Sequence, residues 1–188
     1  MAAPLIVLAS ASPRRREILA AAAMRFVPRT PGPIDEAPRP GEAPRDYVIR
    51  LAREKAETIV PGPGEVVLGA DTAVVVDGLI LGKPADAPDA ARMARLLSGR
   101  AHEVLTGICL RDASRTIADA ASTRVWFIPL AEDEIAGYIS SGEPMDKAGA
   151  YGIQGLASKF IERIDGCYFN VMGLPVALLY GHLRRFMI

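Results

Sequence analysis

Leu8-Ala9-Ser10-Ala11-Ser12-Pro13-Arg14-Arg15-Arg16-Glu17 is the stretch whose reading decides the fold. It closes an apolar run, Leu5 to Ala9, that reads as a short buried strand. Ser10, Ala11 and Ser12 make a tight turn of small residues. Pro13 falls where a helix accepts proline, at its first position, and Ser12 is a natural N-cap just before it. The chain therefore runs from strand to turn to helix start, with two arginines in the first helical turn. Free backbone N–H groups and the helix dipole already favour an anion at such an end. Arg14 and Arg15 are poor helix electrostatics there unless an anion neutralises them. The guanidinium fork suits phosphate oxygens. Two accounts fit these residues: a phosphate site, or a solvated basic helix start.

The chain has 188 residues, which suits one domain over residues 1–188, or two small lobes around one sheet. Half of the residues are apolar and 23% are charged, the balance of an ordinary soluble protein with a sizeable core. Lys plus Arg and Asp plus Glu number 22 each, so the formal charge is zero. A general nucleic-acid binder is usually basic, so none is expected as a partner. No apolar run reaches the length of a membrane span, and Leu5 to Ala9 is too short for a signal peptide. Cys109 and Cys167 are far apart and have no metal-ligand spacing, which leaves Cys109 as a buried free thiol. Together these features predict a cytoplasmic protein.

Further along, Pro28 to Pro44 holds six prolines and the acidic pair Asp35-Glu36, and reads as a long loop. Arg45 to Val60 has helical spacing, with Val48, Leu51, Ala52, Ala56 and Ile59 on one face and Lys55 on or beside it. Glu65 to Ala70 reads as a buried strand ending in Asp71-Thr72. Ala73 to Val76 and Leu79 to Leu81 form a hairpin through Asp77-Gly78. Asp86 or Ala87 opens a helix that runs through Leu97 and stops at Gly99. His102 to Leu110 and Thr116 to Ile128 read as two long strands, and Glu132 to Ser140 as a short helix. Glu143 to Gly155 is irregular, Phe160 to Ile164 is a strand, and a last helix covers Leu174 to Phe186. Hairpins and crossovers are mixed, so the class is α/β with a mixed sheet.

Asp71 is the sharpest single candidate. Read as ending a strand, it sits where α/β sheets tend to place ligands, and its carboxylate can hold a hard cation or take a proton from water. It can equally cap a turn. Lys83, between Gly82 and Pro84, does not belong to a P-loop, because no Ser or Thr follows it. It is a surface lysine unless other groups recruit it, and Lys55 alone reads as a snorkelling stem. Asp35-Glu36 and Asp146-Lys147 fit a solvated loop and a surface ion pair. Gly149, Gly152 and Gly155 permit close backbone approach to a ligand, or a compact loop. Gln154 can pair with a base edge or cap backbone groups. Tyr151 reads as a partly buried structural tyrosine, His102 as structural or surface, and Trp126 as core. Two arginines at a helix start, an acid at a strand end, and lysines and acids in loops are the mixture that a triphosphate with a divalent ion needs.

The chain resembles the Maf family of nucleoside triphosphate pyrophosphatases nearly end to end. The resemblance rests on Ala9-Ser10-Ala11-Ser12-Pro13-Arg14-Arg15, Gly69-Ala70-Asp71-Thr72 and Leu81-Gly82-Lys83-Pro84. It continues through Leu97 to Gly107, Asp146 to Gly155 and Asn170-Val171-Met172-Gly173-Leu174-Pro175. It implies the fold of inosine triphosphatases, an elongated mixed sheet flanked by helices, with two lobes and a central cleft. It implies hydrolysis of a nucleoside triphosphate to the monophosphate and pyrophosphate, with Mg²⁺ or Mn²⁺ as cofactor. Asp71 becomes the catalytic residue and, with Glu36, a metal ligand. Arg14, Thr72 and Gln154 go with substrate choice, and Ser10, Arg15, Lys55 and Lys83 complete the substrate contacts. Asp71-Thr72 and Ile153-Gln154-Gly155 match the branch that resembles dTTP and UTP hydrolases rather than the 7-methyl-GTP branch. A homodimer is compatible with the resemblance. Two rival readings are a nucleotide-binding regulator of cell division without catalysis, and a broader house-cleaning pyrophosphatase for modified nucleotides.

Overall fold

The apolar pentapeptide Leu5–Ala9 forms strand β1, buried from Ile6 onward, because parallel strands flank it on both sides. A computed structural model describes residues 4–186, so the two ends of the expected 1–188 domain lie outside the described residues. After β1 come α1 (Pro13–Ala21), β2 (Phe26–Arg29), α2 (Pro44–Glu57), β3 (Glu65–Val76) and β4 (Leu79–Leu81). Then follow α3 (Ala87–Leu97), β5 (Ala101–Arg111), β6 (Thr116–Phe127) and α4 (Glu132–Ser140). Three short 3₁₀ turns lead to β7 (Ile161–Asp165), α5 (Tyr168–Met172) and α6 (Val176–Leu183). The strands hydrogen-bond in the order β2-β1-β3-β5-β6-β7, with β4 paired to β3. Pairs β1–β2 and β1–β3 are parallel, while β3–β4 and β6–β7 are antiparallel. This is the mixed α/β sheet that the alternation of elements predicts.

Several boundaries follow from single residues. Asp77 and Gly78 both take positive φ, 50° and 76°, the geometry that a tight hairpin needs. Asp86 caps α3 by accepting from Asp89 N–H at 2.8 Å. Ser12 stands at the N-cap of α1 but makes no side-chain cap; its N–H instead donates to Ser10 Oγ at 3.1 Å. The strand expected to end at Asp71 runs on unbroken to Val76. The pairing with β1 stops at Gly69 and that with β4 begins at Val74, so Asp71 lies mid-strand where β3 changes partner. Trp126 is only half-buried, not core: it faces Arg163 across β6–β7, and the guanidinium lies 4.3 Å from its ring. The final helix is shorter than Leu174 to Phe186, and α5 is a short helix that the local pattern does not signal. Within the 170–175 motif, Asn170 is fully buried and its amide donates to Val104 O and Thr123 Oγ1.

The chain divides into two compact units. One comprises the chain through Asp71, Thr106–Ala121 and the chain from Gly173; the other comprises Thr72–Leu105 and Ser122–Met172. In the first unit, Val7, Ala9 and Val67 pack with Ala52, Ala56 and Ile59 around the buried thiol of Cys109, whose pKa burial pushes up to about 11. In the second, Val74, Val76 and Val104 pack with Met93, Leu97, Phe127 and Phe160. His102 is buried there as a structural group: Tyr151 Oη lies 2.8 Å from its Nε2, and desolvation lowers its pKa to about 4.

The feature that positions the site is the seat of α2 on the sheet. Gly69 of β3 lies against Ala52 O and Ala56 N of α2, and Gly107 of β5 lies against Val48 O. A Cβ at either position would overlap helix backbone. Gly107→Ala should therefore destabilise the fold by about 3 kcal/mol, since rigid backbone cannot yield as a side chain can. Gly137 in α4 is exposed and has open space around it, so Gly137→Ala should stabilise by about 0.5–1 kcal/mol. Urea denaturation midpoints of the two variants should move in opposite directions.

Candidate active site

Helix α2 has its apolar face, Tyr47, Val48, Leu51, Ala52 and Ala56, against the sheet. Lys55 belongs to its last turn, where a cation suits the helix dipole. Because Gly69 lets that turn sit close, Lys55 meets the side chain two residues further along β3. Its Nζ donates to Asp71 Oδ1 at 2.5 Å, with both side chains nearly buried. The same Nζ lies 2.8 Å from Glu36 Oε1, contributed by the proline-rich loop. Lys55 is thus no snorkelling stem, and Glu36 is no free loop acid. Tyr47, which sequence reasoning did not single out, anchors that loop by donating its hydroxyl to Glu36 O at 2.9 Å. Burial first, then the nearby Asp71 and Glu36 charges, push its pKa up to about 12.

Arg15 enters from the start of α1. Its Nη1 donates to Ser10 Oγ at 3.1 Å and to Ala70 O at 2.9 Å, and its Nε donates to Gly173 O at 2.8 Å. This arginine ties the turn after β1 to β3 beside Asp71 and to the chain entering α6. Arg14 is half-buried in the first turn of α1. Ser10, Arg14, Arg15, Glu36, Lys55 and Asp71 all lie in the first unit. Thr72, Lys83 and Gln154 lie in the second. Thr72 follows Asp71 on β3 and is half-buried, Lys83 is exposed just after β4, and Gln154 is exposed in the loop after the second 3₁₀ turn.

Burial is the main influence on Asp71 and pushes its pKa above the ordinary carboxylate value. The Lys55 ammonium and, less strongly, Arg15 oppose that rise, while the Glu36 charge adds to it. The carboxylate is therefore a better proton acceptor than an aspartate in water. Burial also lowers the Arg15 pKa, with Asp71 opposing.

The family model for "Maf-like protein" matches residues 5–186. A dTTP/UTP pyrophosphatase of Syntrophomonas wolfei is 52% identical over 181 residues, covering 95% of each chain. A dTTP/UTP pyrophosphatase of Koribacter versatilis is 51% identical over 181 residues, covering 96% of this chain and 93% of that one. Among solved structures, the Staphylococcus aureus Ham1 protein superposes with a TM-score of 0.53 at 11% identity, covering 97% of this chain and all of that one, a likeness of fold.

The opposed influences on Asp71 can be measured directly. Followed by carboxyl ¹³C chemical shift, Asp71 should titrate above the value of about 3.9 that is ordinary for aspartate. Lys55→Met removes the cation that holds the group down and should move the midpoint further up. Glu36→Gln removes a neighbouring negative charge and should move it down. A wild-type midpoint at or below the ordinary value would contradict the assignment of burial as the main influence.

Proposed function

This chain belongs to the Maf family, and on that premise we propose that it hydrolyses dTTP and UTP to the nucleoside monophosphate and pyrophosphate in the cytoplasm. The observation that carries the proposal is the convergence of Asp71, Glu36 and Lys55 where the last turn of α2 sits on Gly69, flanked by the arginines of α1. Buried charges are costly and rarely arise without use. A binding protein with no chemistry has little need of a carboxylate whose pKa burial raises above the ordinary value. Relatives about half identical over nearly their whole length support the substrate class.

In the proposed reaction, water attacks the α-phosphorus, the bond to the α–β bridging oxygen breaks, and pyrophosphate leaves as a unit. Asp71 orients that water and accepts its proton. Arg14, Lys55 and Lys83 offset the triphosphate charge, and Arg15 and Ser10 hold the turn from which the contacts are made. Asp71 Oδ1 and Glu36 Oε1 both pair with the Lys55 ammonium, at 2.5 and 2.8 Å, so the two carboxylates converge on one place, and such hard oxygen donors suit Mg²⁺ or Mn²⁺. Among the described residues no cluster of three or more His, Cys, Asp and Glu forms a protein-only cage. Asp71 and Glu36 would therefore hold the cation together with phosphate oxygens and water, as is usual for Mg²⁺. Bound there, the cation would supply charge neutralisation and a more acidic water. Thr72 and Gln154 offer groups that both donate and accept, which matches part of the acceptor–donor–acceptor edge of uracil and thymine.

Asp71→Asn keeps the shape and removes the anionic oxygen. Its kcat for pyrophosphate release should fall about a hundredfold or more, with the circular dichroism spectrum unchanged. Turnover near wild type would remove Asp71 from the catalytic role.

A panel of nucleotides should rank dTTP and UTP above CTP and the purine triphosphates. Cytosine replaces one acceptor by an amine, and each buried group left unpaired costs about 1–3 kcal/mol. The assay should yield pyrophosphate and no orthophosphate. If 7-methyl-GTP or ATP leads the panel, the specificity is wrong while the pyrophosphatase activity stands; a chain that binds dTTP without releasing pyrophosphate is a regulator.

A further inference from the structure

Within the second unit, a set of polar contacts that no step above uses braces the loop carrying Gln154. Glu143 opens that loop. Its Oε2 accepts the Leu156 N–H, thirteen residues on, at 2.9 Å, and its Oε1 accepts the Tyr138 hydroxyl at 3.1 Å. The Gly155 backbone presses against the same carboxylate, and a Cβ there would overlap it. Lys147 closes the other side. A Cβ at Gly152 would fall 2.7 Å from Lys147 Cε, and the ammonium donates to Glu143 O at 2.6 Å and Asp146 Oδ1 at 2.7 Å. The two glycines of Gly152-Ile153-Gln154-Gly155 are thus each held against a charged side chain. Between them Ile153 is buried and Gln154 is exposed. Tyr138 is itself buried in α4, so the clasp is fixed to a rigid element.

A carboxylate solvated in a loop would make none of these contacts. Here it accepts from one backbone N–H and from the hydroxyl of Tyr138, and truncation removes both contacts. We propose that Glu143 is a positioning residue for Gln154. By fixing the backbone from Gly152 to Leu156, it sets where the Gln154 amide stands and so sharpens the choice among pyrimidine triphosphates. This rests on the reading of Gln154 as a base contact, and the experiment separates the two. A misplacement of about 1 Å at a positioned group can cost up to a hundredfold, so a tenfold effect is readable.

The test measures kcat/KM for dTTP and for CTP by pyrophosphate release, in wild type, Glu143→Ala, Gln154→Ala and the double variant. Each single change should lower the dTTP-to-CTP ratio about tenfold, and the double variant should be no worse than Gln154→Ala alone. Glu143→Gln keeps a carbonyl oxygen for Leu156 N–H and should restore most of the ratio. A purely structural Glu143 would lower both nucleotides by one factor, or only the melting temperature, and that result overturns the proposal. If Gln154→Ala collapses the ratio while Glu143→Ala leaves it at the wild-type value, the positioning role is wrong and the base contact stands. If Gln154→Ala leaves the ratio intact, the base contact fails and the positioning role fails with it. Should Glu143→Ala not fold, Tyr138→Phe deletes a single hydroxyl of the clasp and decides the matter on the same ratio.

Discussion

The rest of the site depends on how closely α2 can approach the sheet. At Gly69 and Gly107 the strands carry no side chain, and helix carbonyls occupy the space that a Cβ would need. A helix on a sheet usually stands off by the thickness of the intervening side chains. Here two turns of α2 lie flush on β3 and β5. Lys55, which a normal stand-off would leave further from the strand, reaches Asp71 two residues beyond Gly69. Gly69 and Gly107 are thus part of the electrostatics of the site, although neither carries a charge.

The second constraint is the change of partner along β3. Up to Gly69 the strand pairs with β1, and from Val74 it pairs with β4. Between these runs, the Ala70 carbonyl accepts from Arg15, whose other donors hold Ser10 Oγ and Gly173 O. One guanidinium therefore joins three segments distant in sequence around the functional carboxylate. This explains why a helix start would carry arginine against its own dipole: Arg15 answers backbone carbonyls and the Asp71 charge rather than bulk solvent. The phosphate reading of the Ser-Pro-Arg-Arg stretch then rests chiefly on Arg14, while Arg15 supplies the frame.

The pattern of elements was legible because local signals agreed: a fully apolar β1, the Asp77-Gly78 turn, the Asp86 cap, and Gly99 and Gly142 with positive φ at helix ends. What escaped the sequence was whatever depends on contacts between distant segments. The continuation of β3 past Asp71 was hidden because Asp-Thr resembles a turn, and only the partner strands show otherwise. Lys55 and Glu36 have bland local explanations, and their meeting is a property of the packed helix and of Tyr47 anchoring the loop. Trp126 looked like core because alternation cannot tell which face a long cation from β7 will cover. The spacing of Gly149, Gly152 and Gly155 was visible, but the charged side chains against which the last two pack were not.

The basicity of Asp71 follows from two opposed influences of different origin. Desolvation raises its pKa, because the charged form loses water when β3 is covered. Lys55 lowers it through charge and a direct hydrogen bond. A buried carboxylate without the ammonium would have a still higher pKa, while an ammonium-paired carboxylate in full solvent would have a lower one. Held between the two, the carboxylate keeps basicity that an exposed aspartate lacks, and Glu36 adds to it from the more exposed side of the pair. The geometry of α2 thus determines both where the carboxylate sits and what kind of base it is.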